Sequence, residues 1–413
     1  MKKALSLMIA VLSMTATAQT ITTENPIRQQ YKTFSVIGDS YSTFVGKTEP
    51  ATNAQFYPRE GIDVYEASQT WWMLFQRETG VQLSQNNSWS GGTICNTWWN
   101  GADASTVSFV YRSQNLRKAD LIIIEGGTND SNAGSPIGSY QYSDWTAQDL
   151  KAFRPALAKT IDYLQNKYPE AKLVFMLNNG LKTEINSSVN TICEHYGVPV
   201  LALSGVAKAL DHPTYDGMRT ISRQLAGILL DESDYLFYNE YSNISIRRPV
   251  ENAKVFFQFP IHEGQWTTAC LPFSLNAEQV EQVFGEGAVV AEYTGEAVID
   301  SDDPTKATVP FRKVDHIDLS KPYLVKPTIT RTEGITIKDF TLEQTTPKTV
   351  QGADFSFVGS YRNTVIRYDN DIAFVMQPDG TMTHPALDVT LGSMHAYIKA
   401  PKDIRTVSVE IED

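Results

Sequence analysis

Cysteine is scarce. Cys95, Cys193 and Cys270 are the three in 413 residues, and an odd number leaves at least one thiol free. No pair of them has metal-ligand spacing, so nothing supports a zinc site. Buried thiols packed as small apolar groups are the plain reading, with a Cys95–Cys193 bridge left open. Positive charge is also short: 35 Lys and Arg against 47 Asp and Glu give a net charge of −12 and a pI of about 5.1. That balance argues against nucleic acid or an anionic membrane surface as the main partner. Beyond the N-terminus the sequence has no apolar run of membrane-spanning length, no internal repeat and no low-complexity segment.

What is present starts with a leader. Lys2-Lys3 precede an apolar run from Ala4 to Met14 and then Ala16-Thr17-Ala18, the pattern of a secretory signal cut after Ala18. The run, about 11 residues, is too short to cross a bilayer as a helix. No cysteine follows the cleavage site, so no lipid anchor is indicated. An exported protein is expected, whether periplasmic, surface-bound or secreted.

The remaining length suggests two domains, since single cores rarely grow past roughly 250–300 residues. The boundaries read as 1–18 leader, 19–235 first domain and 236–413 second domain. In the first, apolar strands at Phe34–Ile37, Leu121–Ile124, Leu173–Leu177 and Val198–Leu203, with a weaker one near Val81–Leu83, alternate with helical patterns. The helices read as Glu66–Thr79, Asp144–Tyr168, Glu184–Tyr196 and Met218–Leu230, with Pro155 expected to kink or split the second. Continuous apolar strands between helices predict a three-layer α/β domain on a parallel sheet. After Leu230 short β-rich runs take over, from Val255–Phe259 to Met394–Ile398. They predict an all-β, sandwich-like module with one helix at Ala277–Phe284 under an Asn276/Gln279 capping box.

The chemistry gathers at strand ends. Gly38-Asp39-Ser40 follows the first strand, which would carry the Ser40 hydroxyl to the carboxyl edge of the sheet, where open α/β folds place their sites. A serine needs a base and a set of oxyanion donors. The first domain offers two histidines. His195 closes a helical pattern, where a histidine suits the helix dipole. His212 lies on a loop after the last strand, so by elimination it is the candidate base. Ser90-Gly91-Gly92-Thr93 after the second strand offers a backbone N–H unobstructed by a side chain. Gly127-Thr128-Asn129-Asp130 after the third offers the Asn129 amide. Each block alone reads as an ordinary turn; the order serine, glycine, asparagine, histidine along successive strands is what carries the signal.

These four blocks, with His212-Pro213 as the last, resemble the GDSL esterases, more narrowly the SGNH hydrolases, over about residues 30–230. The resemblance implies a flavodoxin-like parallel sheet and hydrolysis of carboxylic esters through an acyl-enzyme, with no metal and no cofactor. Ser40 would be the nucleophile and its own N–H one oxyanion donor, Gly91 N–H and Asn129 the others, and His212 the general base. The family usually carries an aspartate three residues before the histidine; here that position is Ala209. The orienting acceptor is then Asp211, a backbone carbonyl, or nothing, and a Ser–His dyad with backbone help is preferred. Trp98, Trp99, Tyr140 and Tyr142 read as a sugar-stacking rim or as packing under long loops. Trp71-Trp72 reads as core. In the second domain Trp266–Phe273 and Gly392–Tyr397 resemble an all-β module that recurs in exported proteins of Bacteroidetes-type bacteria. Its acidic run Asp300–Asp303 reads as a solvated loop in preference to a calcium site. The expected activity is removal of small acyl groups, acetyl above all, from a carbohydrate. The rival is a hydrolase-like binding protein without effective turnover.

Overall fold

The computed structural model describes residues 19–231, 235–368 and 372–412, so the expected leader lies outside the described residues. The chain divides into two compact units. Among the described residues, one comprises 24–237 with 332–334; the other comprises 238–331 and 335–412 with residues 19–23. The strand Thr20–Thr22 pairs antiparallel with Thr336–Lys338, which takes these residues, expected in the first domain, into the β-rich unit.

The α/β unit is built on five strands: β1 (Thr33–Gly38), β2 (Gln82–Asn86), β3 (Leu121–Gly126), β4 (Lys172–Leu177) and β5 (Val200–Ala202). Their order is β2-β1-β3-β4-β5 and all pairs are parallel, the flavodoxin-like order. β3 is buried along its whole length, as a central strand covered on both faces must be. On one face, helices α1 (Trp71–Thr79) and α2 (Tyr215–Asp231) pack on each other. Trp71 and Trp72 are fully buried there, as the sequence implied, and Phe75 meets Phe34 edge-on. On the other face Ile122, Ile124 and Phe175 share a core with Phe153–Lys167 and Thr183–His195, which pack together.

One helix differs from expectation. Asp144–Tyr168 becomes a 3-10 turn at Asp149–Lys151 and a helix from Phe153 to Lys167. Pro155 therefore lies in the first turn, where its missing N–H leaves no intrahelical bond unmade, and it neither kinks nor splits the helix.

The second unit is mostly strand, as expected. Among the described residues it holds a curled eleven-stranded sheet, a four-stranded sheet and the two-stranded pair Thr364–Ile366 with Val389–Leu391. Helix Ala277–Phe284 starts under the expected capping box, Asn276 accepting from Gln279 N–H and Gln279 from Asn276 N–H, each at 3.0 Å. Lys306–Val314 pairs parallel with Thr406–Glu412, a connection a simple antiparallel sandwich lacks. Cys95, Cys193 and Cys270 are all free and buried, so the Cys95–Cys193 bridge is not formed. No helix among the described residues is long and apolar enough to cross a membrane.

Candidate active site

Ser40 sits where β1 ends. Gly38 is required there: a Cβ on it would lie 2.8 Å from both Ser42 Cβ and Ser88 Oγ, so no larger residue fits. Asp39 then caps a single 3-10 turn, Ser40–Ser42, its carboxylate accepting from Tyr41 N–H at 3.1 Å. Beneath this turn Glu125, paired with Gly38 across β1 and β3, accepts from Asp39 N–H and from Ser42 Oγ, both at 3.1 Å. One carboxyl thus grips the chain on both sides of Ser40. Burial pushes both carboxyls above their ordinary range, and the Asp39 charge raises Glu125 further. Arg112 is buried beside them; burial lowers its guanidinium to about 9, against the pull of Asp39 and Glu125. Its Nη1 donates to the Asn87 carbonyl and its Nε to Val107 O at 2.8 Å.

His212 reaches Ser40 from a two-residue hairpin. Lys208–Ala209 pairs with His212–Pro213, and Leu210 and Asp211 form the turn with φ of 49° and 62°. Two left-handed residues in succession make the primed turn that matches strand twist, although Leu is a poor occupant of that region. The turn aims the Leu210 carbonyl at His212 Nδ1, 2.8 Å away, while Nε2 stands 2.9 Å from Ser40 Oγ. A carbonyl can only accept, so Nδ1 carries the proton and Nε2 presents its lone pair to the serine hydroxyl. This is the tautomer a general base needs.

The tentative role of Asp211 as orienting acid is thereby corrected. The partner of Nδ1 is the backbone carbonyl one residue earlier, and Asp211 contributes its own carbonyl to Tyr41 Oη at 2.8 Å. Tyr41 accepts in turn from Asn178 Nδ2 at 3.0 Å, and Lys208 Nζ donates to the Asn178 and Asn179 side chains. Tyr57 Oη donates to Pro213 O at 2.7 Å. Phe56 lies flat on the imidazole, centroids 3.5 Å apart and planes within 10°. Burial, opposed by the Leu210 hydrogen bond, lowers the His212 pKa below its usual value, and the Arg59 charge adds to this.

The donor loops converge on the same edge. Gly91 has φ of 81°, a conformation natural to glycine, and its carbonyl accepts from Trp98 Nε1 at 2.7 Å. Asn129 Nδ2 donates one N–H to Gly92 O at 3.1 Å, leaving its second N–H for a ligand. Asp130, beside it, accepts from Ile94 and Cys95 N–H and ties the two loops together; burial raises its carboxyl to about 6. The N–H groups of Ser40 and Gly91 have no acceptor among the described residues.

The expected aromatic rim comes apart. Trp98 stays beside Gly91, and Trp99 is exposed on the turn that follows. Tyr140 lies under Arg154, 4.2 Å from guanidinium carbon to ring centroid, and Tyr142 stacks on His195 at 3.7 Å, so both tyrosines pack against helices on the far face. His195 is the helix-end residue it was expected to be. Among the described residues no group of three or more His, Cys, Asp or Glu is placed to hold a metal. Asp300 and Asp303 are spent on the N–H groups of their own loop and on Lys306.

Sequence reasoning missed Glu125, Arg112, Tyr41 and Phe56. Only Glu125 left a trace, as a lone acid closing the apolar run Leu121–Ile124.

Residues 32–229 match the profile of the GDSL-like Lipase/Acylhydrolase family. A solved candidate GDSL-like lipase from Bacteroides ovatus ATCC 8483 is 45% identical, with 48% of this chain and 98% of that one covered and a TM-score of 0.48. Another, from Bacteroides uniformis ATCC 8492, is 42% identical, with 50% and 100% covered and a TM-score of 0.49. No curated protein matches the chain. With nearly the whole length of both relatives matched at this identity, the chain belongs to the GDSL-like lipase/acylhydrolase family and is an ester hydrolase.

Proposed function

We propose that the protein is an exported serine esterase that removes small acyl groups, acetyl above all, from a carbohydrate. The observation that carries the catalytic assignment is the 2.9 Å contact of His212 Nε2 with Ser40 Oγ, with Nδ1 satisfied by a carbonyl. In this reading Ser40 Oγ adds to the ester carbonyl carbon as Nε2 takes its proton. The oxyanion is received by Ser40 N–H, Gly91 N–H and the Asn129 amide. Collapse of the intermediate expels the sugar alcohol, which takes the proton back from the imidazolium, and water repeats the sequence to free the acid. The carbohydrate part is supported by the leader, by Trp98 beside Gly91 and by the appended β-rich unit.

The test is turnover of p-nitrophenyl acetate by the full chain beside Ser40→Ala and His212→Ala. Each variant is expected to lose at least about a thousandfold in kcat/KM. Equal, near-background rates for all three would favour the binding-protein reading instead. Acetylated oligosaccharides are then assayed for released acetate, and none from any of them would remove the carbohydrate part alone.

A further inference from the structure

The β-rich unit carries a pocket of about 970 Å³ formed by segments 243–247, 344–347 and 359–362. The first segment is fastened to both others: Ile244 N–H donates to Tyr361 O at 2.8 Å, and Ile246 bridges Thr345 in antiparallel sense. Burial alternates along it. Ile244 and Ile246 are buried while Asn243, Ser245 and Arg247 are exposed, the pattern of an extended run presenting one face. The floor is already braced. Tyr361 is buried, its hydroxyl 2.9 Å from Leu271 O and 2.8 Å from Ser320 Oγ, and Ser320 bonds Thr345 in turn. Such a pocket is formed before any ligand arrives.

Its charge is unlike that of the chain. The thirteen lining residues include Arg247 and Arg362 but no Asp or Glu, although acids outnumber bases by 47 to 35 in the whole sequence. Neither guanidinium has a carboxylate partner among the described residues, whereas Arg312 of the same unit is paired with Glu292. Two free guanidinium forks suit an oxyanion, which each can bind through two parallel hydrogen bonds. The one lining aromatic, Tyr361, is buried, so the walls offer no platform on which a neutral sugar or a base would stack. Asn243, Ser245, Gln344 and Thr346 add amide and hydroxyl groups that both donate and accept.

We propose that this pocket binds a saccharide bearing an oxyanion, a carboxylate or a sulfate ester, with Arg247 and Arg362 taking the anion and the neutral side chains the hydroxyls. The saccharide part rests on the carbohydrate reading above; the oxyanion part does not. The experiment is calorimetric titration of the full chain with oligogalacturonate, with a sulfated dextran oligosaccharide and with neutral cello-oligosaccharide, alongside p-nitrophenyl acetate turnover. At least one anionic ligand is expected to bind, and the double variant Arg247→Ala/Arg362→Ala to weaken it roughly tenfold or more while turnover stays unchanged. Which anionic ligand binds identifies the source of the oxyanion. Failure of both to bind, unchanged binding by the double variant, or equal binding of the neutral ligand would overturn the proposal. Because binding is read separately from turnover, its failure is distinct from failure of the esterase reading.

Discussion

At the scale of single residues, the proposed base is set by what surrounds its two ring nitrogens. Desolvation disfavours the imidazolium, so neutral His212 persists to lower pH than in a solvated histidine. The acidic limb of kcat/KM is therefore expected to have its midpoint below 6.5, the ordinary value, with rate rising through it as pH rises. A pH–rate profile with p-nitrophenyl acetate checks this; a midpoint at or above 7 would contradict a desolvated base. The same logic separates two neighbours. Asp211→Asn leaves the Leu210 carbonyl in place and is expected to change kcat less than about threefold, where loss of a true orienting carboxylate costs on the order of 10⁴. Tyr41→Phe removes the donor to the Asp211 carbonyl, leaving that acceptor unpaired at a cost of about 1–3 kcal/mol, while Asn178 Nδ2 keeps Thr128 Oγ1 at 3.4 Å, and the change is expected to lower kcat about tenfold. Steady-state kinetics of the two variants, with the reverse ranking as the contrary result, decides between backbone and carboxylate orientation.

At the scale of elements, strands buried on both faces were the most legible part of the sequence. Phe34–Ile37, Leu121–Ile124 and Leu173–Leu177 lie inside strands Thr33–Gly38, Leu121–Gly126 and Lys172–Leu177, because burial on two faces demands continuous apolar letters. Lys306–Val314 was missed for the converse reason. It mixes charged and apolar residues and holds Pro310, which argues against a strand with neighbours on both sides. The hairpin Lys208–Pro213 was missed too. Its turn residues, Leu210 and Asp211, are not the Asn-Gly type that announces a primed turn, and tertiary contacts hold them there: Tyr41 on the Asp211 carbonyl and Tyr57 on the Pro213 carbonyl.

At the scale of the molecule, one half-buried histidine links stability to pH. His395 is half-buried in the β-rich unit, stacked on Phe259 and 3.3 Å from Thr268 Oγ1 through Nδ1; desolvation lowers its pKa from 6.5 to about 4. Between those values the unfolded chain binds the proton and the folded chain does not, so stability rises with pH across the window and is lost as pH falls from about 6.5 toward 4. The full contribution is on the order of 3 kcal/mol. The stability advantage of the native chain over His395→Gln is expected to shrink by that amount between pH 7 and pH 4 in denaturant unfolding; parallel curves would contradict it. The sequence alone picked out the candidate nucleophile, the order of the candidate donor loops and, by elimination, the candidate base, because serine, glycine, asparagine and histidine recur in that order at successive strand ends. Only the tertiary structure decided what holds His212 in line. That acceptor is a backbone carbonyl, which every residue possesses, and its direction is fixed by two left-handed φ angles and by hydroxyls far away in the chain. No letter of the sequence marks it.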